Sequence, residues 1–561
     1  MTHFSVEPGA ASAALDAAFT RLDQLQFAEA LWSRRLDVWT QDPAVQQKIA
    51  NRLGWLEAIE FVGPHLPRLQ AFAAGIKASG LSDVVLLGMG GSSLAPEVFH
   101  RVFGRASELP RFHMLDSTDP DAVRNAIANA ATSLFIVASK SGTTIEPNSM
   151  AAAARRRVEA GGIKNWGSRF IAITDENTEL HRRAQNDGFR DIFINPSDVG
   201  GRYSALTLFG MVPAALMEVP LGAVIDRARA MVNACRSVNP RANPGLALGA
   251  LIGASASIGR DKLTLLVPKR LASFGLWVEQ LVAESTGKQG KGIVPIAGET
   301  PDAAAGVDRV VVAVRVGAEG PDTKAVDRVR AAGVPLMTLE MPDIDALGAE
   351  FFRWEIATAT AGRLLEINPF DEPNVRQAKD ATRALLRTYT TRRELPIGQA
   401  DAEHDGMRIT LSQAARERLG SSGAETFLSL LTASDYFGLL AYVPPDHGAL
   451  APVLEDLRNR VAIDRRCATM FGYGPRYLHS TGQLHKGGPN SGVFVIVTAS
   501  PEADLQIPGE PYSFFVLQMA QALGDFQSLD SAGRRAAHVH LPDRNVNSFK
   551  RLAALLLRPD D

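Results

Sequence analysis

Short, nearly unbroken apolar runs that end in small polar turns constrain this chain more than any other feature. Val84-Val85-Leu86-Leu87 runs into Gly88-Met89-Gly90-Gly91-Ser92-Ser93, and Leu134-Phe135-Ile136-Val137 into the turn that opens at Ser139. Residues 112–115 precede Asp116-Ser117-Thr118, residues 170–173 precede Thr174-Asp175, and residues 191–194 follow. A strand with one wet face alternates apolar and polar side chains, whereas a strand covered on both faces reads as a continuous apolar run. Such runs, separated by Ala- and Arg-rich stretches of helical composition, predict parallel strands with helices packed on both sides.

The pattern resumes after residue 240, where residues 263–267, 292–296, 309–314 and 335–339 read as strands and 351–367 as a helix. Before the first strand, residues 11–80 read as helical, with Phe19, Leu22, Leu25, Phe27 and Leu31 at near-helical spacing. A polar stretch, 392–408, carries Pro396, Gly398 and Gly406 and reads as a linker. Beyond it, residues 437–443, 492–497 and 537–541 are strand-like again. The expected fold is α/β, with two doubly wound parallel-sheet domains followed by a C-terminal α/β unit. The expected boundaries are 1–240 (helical arm and first domain), 241–395 and 396–561, which suits 561 residues at roughly 150 per domain.

Charge narrows the function classes. Lys and Arg number 59 against 61 Asp and Glu, so no large field invites nucleic acid or an anionic membrane. An anionic ligand must be held by a local pocket. Cys235 and Cys467 build no disulfide framework, and no Cys/His spacing suits a metal, so both read as inert buried thiols and no metal site is expected. Glu7, Asp16, Asp23 and Glu29 interrupt the first thirty residues, which carry no basic region followed by an apolar run and hence no secretory signal. No apolar stretch approaches the roughly 20 residues of a membrane span. A soluble, cytoplasmic protein is expected.

Two of the turns can hold a phosphate. The first, 88–94, has two glycines of a dinucleotide-type turn but neither the third nor a Walker lysine. The second, Ser139-Lys140-Ser141-Gly142-Thr143-Thr144, gathers four hydroxyls and an ammonium where a helix begins. Backbone N–H groups and a helix dipole suit a phosphate, and one helix cap does not require four hydroxyls.

At these loops the sequence resembles the sugar isomerase (SIS) superfamily. Three further segments bring it closer to the phosphoglucose isomerase family: Val199-Gly200-Gly201-Arg202-Tyr203-Ser204, the stretch from Glu279 to Lys288, and Asn368-Pro369-Phe370-Asp371-Glu372-Pro373-Asn374-Val375. The C-terminal segment from Tyr473 to His485 is similar to the isomerase half of bifunctional transaldolase/phosphoglucose isomerase proteins, although no unit here suits a transaldolase barrel of about 250 residues. The resemblance implies SIS-type domains, a cofactor-free aldose–ketose isomerisation of a sugar phosphate, and a homodimer with shared sites. It assigns phosphate and sugar binding to Gly91, Ser92, Ser139, Lys140, Ser141, Thr143, Thr144 and Gln280. It makes Glu284 the base, Arg202 the cation at the reacting oxygens, and Lys379 an aid to ring opening.

One departure stands out. The family's ring-opening histidine lies between the base and lysine motifs, yet residues 285–379 contain none. His485, in what reads as a Gly-, Ser- and Thr-rich loop, is the expected replacement and His479 in the same loop the second choice. Glu372 stands where many relatives have Gln. Two other readings remain at this stage: a non-catalytic sugar-phosphate sensor, and an isomerase that also accepts mannose 6-phosphate or an aminosugar phosphate, with Thr286 bearing on substrate breadth.

Overall fold

Each apolar run named above overlaps a strand of the computed structural model, which describes residues 3–104, 109–300, 303–445 and 448–558. The chain divides into two compact units, the first built from Met1–Leu115, Asn129–Thr286 and Lys291–Asp371, the second from Asp116–Ala128, Gly287–Gly290 and Glu372–Asp561.

The first unit holds two sheets. Its strands are β1 (His3–Glu7), β2 (Asp83–Gly88), β3 (Arg111–Leu115), β4 (Ser133–Ala138), β5 (Phe170–Asp175), β6 (Asp191–Asn195), β7 (Lys262–Leu266), β8 (Val294–Ile296), β9 (Arg309–Val316) and β10 (Leu336–Met341). One sheet has the order β3-β2-β4-β5-β6, all parallel. The switch in strand order lies between β2 and β4, where loops at the carboxyl ends leave a crevice for ligands. Both expected phosphate loops follow these two strands. The other sheet runs β1-β10-β9-β7-β8, and its parallel strands repeat the same winding, with β1 antiparallel at the edge.

The second unit contains β11 (Ala402–His404), β12 (Met407–Leu411), β13 (Tyr436–Tyr442), β14 (Ala468–Tyr473), β15 (Gly492–Ala499) and β16 (Arg535–Leu541). Its sheet order is β11-β12-β16-β15-β13-β14. The parallel strands β13 to β16 repeat the winding a third time, and β12 and β11 extend one edge antiparallel. The fold is therefore α/β, with two doubly wound parallel sheets and a C-terminal α/β sheet.

Burial explains why the central strands were legible. Every residue of β2, β4 and β5 is buried, so nothing forces a polar residue into the run. Four strands escaped the sequence pattern. β1 is a half-exposed edge, β14 is half-exposed towards its end, β11 lies inside the stretch read as a linker, and β12 begins in it. Only residues 393–401 and the turn 405–406 of that stretch lack helix or strand, and Met407, Ile409 and Leu411 alternate inward as a half-buried strand does.

One large core serves the first unit, with a smaller cluster of Val311, Ala313, Val329 and Leu336 beside its second sheet. At its centre the helix Leu347–Leu364 packs against Pro244–Ser257 and Leu221–Ala234, with Phe351, Phe352 and Trp354 fully enclosed. In the second unit one sheet face is apolar, with Phe437, Leu439, Val495, Val497 and Val539 in the core. Alternation places Tyr436, Tyr442, Thr498 and His538 on the other face. Near them Tyr477 donates to Asp525 of the helix Phe514–Ser531 at 2.7 Å, and Lys486 pairs with the same carboxylate at 2.6 Å.

Both cysteines are free and buried, and burial pushes the Cys235 thiol up to about 12. Among the described residues no cluster of three or more His, Cys, Asp or Glu is placed to hold a metal, and no helix is long and apolar enough to cross a membrane.

Candidate active site

In the first unit, the helix Ala272–Thr286 carries Gln280 and Glu284 in its last two turns, with Glu284 on the final one. Glu284 is 9% exposed, not the solvated surface carboxylate that a lone Glu near a helix end suggests. Arg202 lies in the single 3-10 turn Gly201–Tyr203 and is 3% exposed. Its Nη1 stands 3.2 Å from Glu284 Oε1. Gln280 Nε2 donates to Glu284 Oε2 at 3.2 Å. The structure thus brings together three of the predicted residues, which lie up to 82 positions apart in the chain.

The guanidinium is held on every side. Nε donates to Ser285 Oγ at 2.8 Å, and Nη2 donates to the carbonyls of Pro369 and Asp371 at 2.9 and 3.1 Å. Behind it Tyr203 stacks on Trp55 at 5.1 Å and leans on Phe370 at 5.6 Å, and burial pushes the Tyr203 phenol above its ordinary range. Ser285, Tyr203 and the Asp371 carbonyl sit within the motifs already singled out, but no pattern assigned them to Arg202.

The steric demand at this turn falls on Gly91 rather than on the two glycines before Arg202, where a Cβ would meet nothing closer than 3.7 Å. A Cβ on Gly91 would lie 2.0 Å from the Gly201 carbonyl oxygen. The turn after β2 and the turn carrying Arg202 therefore touch backbone to backbone, which only glycine at position 91 allows.

The second loop links its own hydroxyls. Ser139 Oγ lies 3.1 Å from Thr144 Oγ1 and accepts from the Gly142 N–H at 3.1 Å, while Ser141 Oγ lies 2.9 Å from Thr143 Oγ1. Gly142 has φ of +71°, and a Cβ there would meet the Leu180 backbone nitrogen at 2.4 Å. Thr144 precedes the helix Ile145–Ala160 without capping it through its side chain, so the first-turn N–H groups are not closed off by that hydroxyl. Ser141 and Thr143 are exposed. Lys140 Nζ is hydrogen-bonded to Asp175 and, at 2.7 Å, to the Ser197 carbonyl. Burial raises the Asp175 carboxyl above its ordinary range against the pull of Lys140. Asp175 is a further partner that sequence reasoning passed over, although it closes β5 beside this loop.

Lys379 and His485 belong to the second unit. Lys379 is exposed on the helix Pro373–Arg392. His485 lies on the short helix Gly482–Gly487, not in the open loop its Gly- and Ser-rich surroundings predict, and is 1% exposed. Phe494, Tyr436 and Tyr477 enclose its ring at 4.8, 6.0 and 6.2 Å. Nδ1 lies 3.1 Å from the Tyr436 hydroxyl, and Nε2 has no hydrogen-bond partner among the described residues. Burial, aided by Lys486 and Arg534, holds the imidazole well below its ordinary value and hence neutral at pH 7. Thr286 is fully buried; it donates to the Val282 carbonyl at 2.8 Å and accepts from the Ile293 N–H at 3.0 Å.

Residues 70–304 match the family model described as phosphoglucose isomerase. A glucose-6-phosphate isomerase of Prochlorococcus marinus (strain MIT 9313) is 29% identical over 393 residues, covering 62% of this chain and 71% of that protein. One from Parasynechococcus marenigrum (strain WH8102) is 30% identical over 357 residues, covering 55% and 64%. Among solved structures, a glucose-6-phosphate isomerase from Chlamydia trachomatis shares the fold with TM-score 0.59 at 17% identity, spanning 70% of this chain and 89% of that one. A hypothetical protein from Thermus thermophilus gives 0.58 at 22%, spanning 68% and 99%. The phosphate-type loops at one switch point and the buried Arg202–Glu284 pair all lie within residues 70–304, the part of this chain that is similar to the phosphoglucose isomerase family model.

Proposed function

We propose that the chain interconverts glucose 6-phosphate and fructose 6-phosphate through a cis-enediol. The observation that carries this reading is the buried set Arg202, Glu284 and Gln280, in which one carboxylate is held beside a fixed cation and a carboxamide. The reaction asks for one base that removes the C2 proton and returns it to C1, and a single enclosed carboxylate meets that demand. Negative charge grows on the C1 and C2 oxygens as the proton leaves. Arg202, already fixed by three neighbours, stabilises it without reorganising.

The phosphate is remote from the bonds that change and serves as a handle for the sugar. Gly91, Ser92, Ser139, Lys140, Ser141, Thr143 and Thr144 receive it, and it displaces Asp175 from the Lys140 ammonium. Lys379 and His485 open the closed sugar, His485 working from its neutral form through the unpartnered Nε2. The interconversion is redox-neutral and calls for no electron carrier. Domains at 1–240, 241–395 and 396–561, a homodimer, a cytoplasmic setting and a place in glycolysis and gluconeogenesis complete the reading.

The test is conversion of fructose 6-phosphate by the wild-type chain, followed through a coupled dehydrogenase. A sugar-phosphate sensor needs the loops but not the Arg202–Glu284 pair, and a chain that binds without turnover would favour it.

Two variants probe the parts. Gly91→Ala drives a methyl into the Gly201 backbone, so the turn carrying Arg202 must move. Its kcat/KM is expected to fall by about 100-fold, since misplacement of about 1 Å costs that much. Stability falls by about 1–3 kcal/mol on the same overlap. Steady-state kinetics beside thermal unfolding checks both, and unchanged kcat/KM would refute the contact's importance. His485→Gln is expected to lower turnover of ring-closed substrate by roughly 10-fold or more while sparing a pre-opened analogue. Equal rates on both substrates in variant and wild type would remove His485 from the mechanism.

A further inference from the structure

The helix Pro373–Arg392 begins without help from its own N-cap: Glu372 makes no side-chain cap bond, and Pro373 has no N–H. Its first free donor, the Asn374 N–H, instead donates to Gln483 Oε1 at 2.8 Å. Gln483 is fully buried on the helix Gly482–Gly487, and its Nε2 donates twice, to the Gly287 carbonyl and to Asn374 Oδ1, both at 2.8 Å. One carboxamide therefore uses its acceptor and both donors on two distant segments.

A second observation marks the same spot. A Cβ on Gly487 would meet Asn374 Oδ1 at 2.5 Å and both Gln483 Nε2 and the Gly287 oxygen at 2.8 Å. The Gly487 carbonyl also accepts from the Gly290 N–H at 2.9 Å. The knot is thus covered by backbone that only glycine permits, and its polar atoms find partners away from water.

The two segments are not arbitrary. Gly287 is the third residue after Glu284, and Asn374 the fifth before Lys379. A rise of about 1.5 Å per residue leaves Lys379 about 7.5 Å along its helix from the knot.

We propose that Gln483 is a positioning residue for the isomerisation. Its carboxamide fixes the exit of the helix bearing Glu284 and the entry of the helix bearing Lys379, and so acts through both without touching substrate. The inference rests on the isomerase reading above. It adds a residue from the C-terminal third, in the segment 473–485 whose resemblance had pointed only to histidines.

The experiment compares wild type, Gln483→Leu and Gly487→Ala in steady-state kinetics with fructose 6-phosphate and in amide hydrogen exchange at Asn374. Gln483→Leu is expected to lower kcat roughly 10- to 100-fold, with KM within about twofold because the phosphate loops keep their hydrogen bonds. Exchange at Asn374 should quicken by about tenfold or more once its acceptor is gone. Gly487→Ala, which keeps every hydrogen-bonding group but crowds them, should change kcat and exchange in the same direction. Faster exchange with unchanged kcat would overturn the proposal, and so would unchanged exchange. A proportional loss of kcat and of folded protein would reduce Gln483 to a structural role and overturn it as well. If Gln483→Leu fails to fold, Gln483→Glu, which keeps the acceptor and the volume, decides by the same two readouts. A wild type with slow Asn374 exchange and no turnover would refute the isomerase reading, and the catalytic role of Gln483 with it.

Discussion

Glu284→Gln is expected to leave a folded protein whose kcat for fructose 6-phosphate is lower by about 10³-fold, within the 10²–10⁴ range of a lost general base. The substitution is nearly isosteric. The new amide oxygen can still accept from Arg202, and Gln280 keeps a neighbour at the same distance, so the pocket stays closed. What disappears is the lone pair basic enough to carry a proton between C2 and C1. KM should change little, because the phosphate loops lie on other turns and keep their own hydroxyl network. Steady-state kinetics of matched wild-type and variant preparations gives the answer. Equal kcat values would remove Glu284 as the base.

Arg202→Ala should be the second most damaging change, and for two separable reasons. Deleting a fixed donor at a developing oxyanion costs roughly 10²–10³ in kcat. The same deletion leaves the 9% exposed Glu284 carboxylate without its ion-pair partner, and breaking a buried pair costs about 3–5 kcal/mol. Stability and rate therefore fall together in Arg202→Ala. In Arg202→Lys a charge remains, but the fork that reaches Ser285, Pro369 and Asp371 is lost. Lysine should recover part of the stability and little of the rate. Urea unfolding beside kcat for the pair of variants separates the effects, and full recovery of rate by lysine would show that charge alone suffices.

The parts of this fold that could be read from the sequence are those where burial removes choice. β2, β4 and β5 are covered on both faces, and their runs named both the strands and the loops that follow them. β1, β11 and β14 lie at sheet edges and β12 pairs with the edge strand β11, and such short, half-exposed segments look like loop or linker. The same logic holds at the site. Arg202, Gln280 and Glu284 sit in motifs, so their types and order could be recognised, and the structure brings them within hydrogen-bonding reach. Their supports could not be foreseen: Ser285, Asp175 and Gln483 act through contacts between segments up to 196 residues apart, and no local period encodes those. His485 was chosen for the composition around it. The sequence signalled neither the helix nor the aromatic enclosure that keeps its ring neutral.

The most direct measurement is turnover of fructose 6-phosphate by the wild-type chain in D2O, followed by proton NMR. A base that carries the proton through an enediol exchanges part of it with solvent, so glucose 6-phosphate should appear with deuterium at C2, and Glu284→Gln should form product and label about 10³-fold more slowly. Absence of glucose 6-phosphate from the wild-type reaction, or label and product formed equally well by Glu284→Gln, would contradict the assignment.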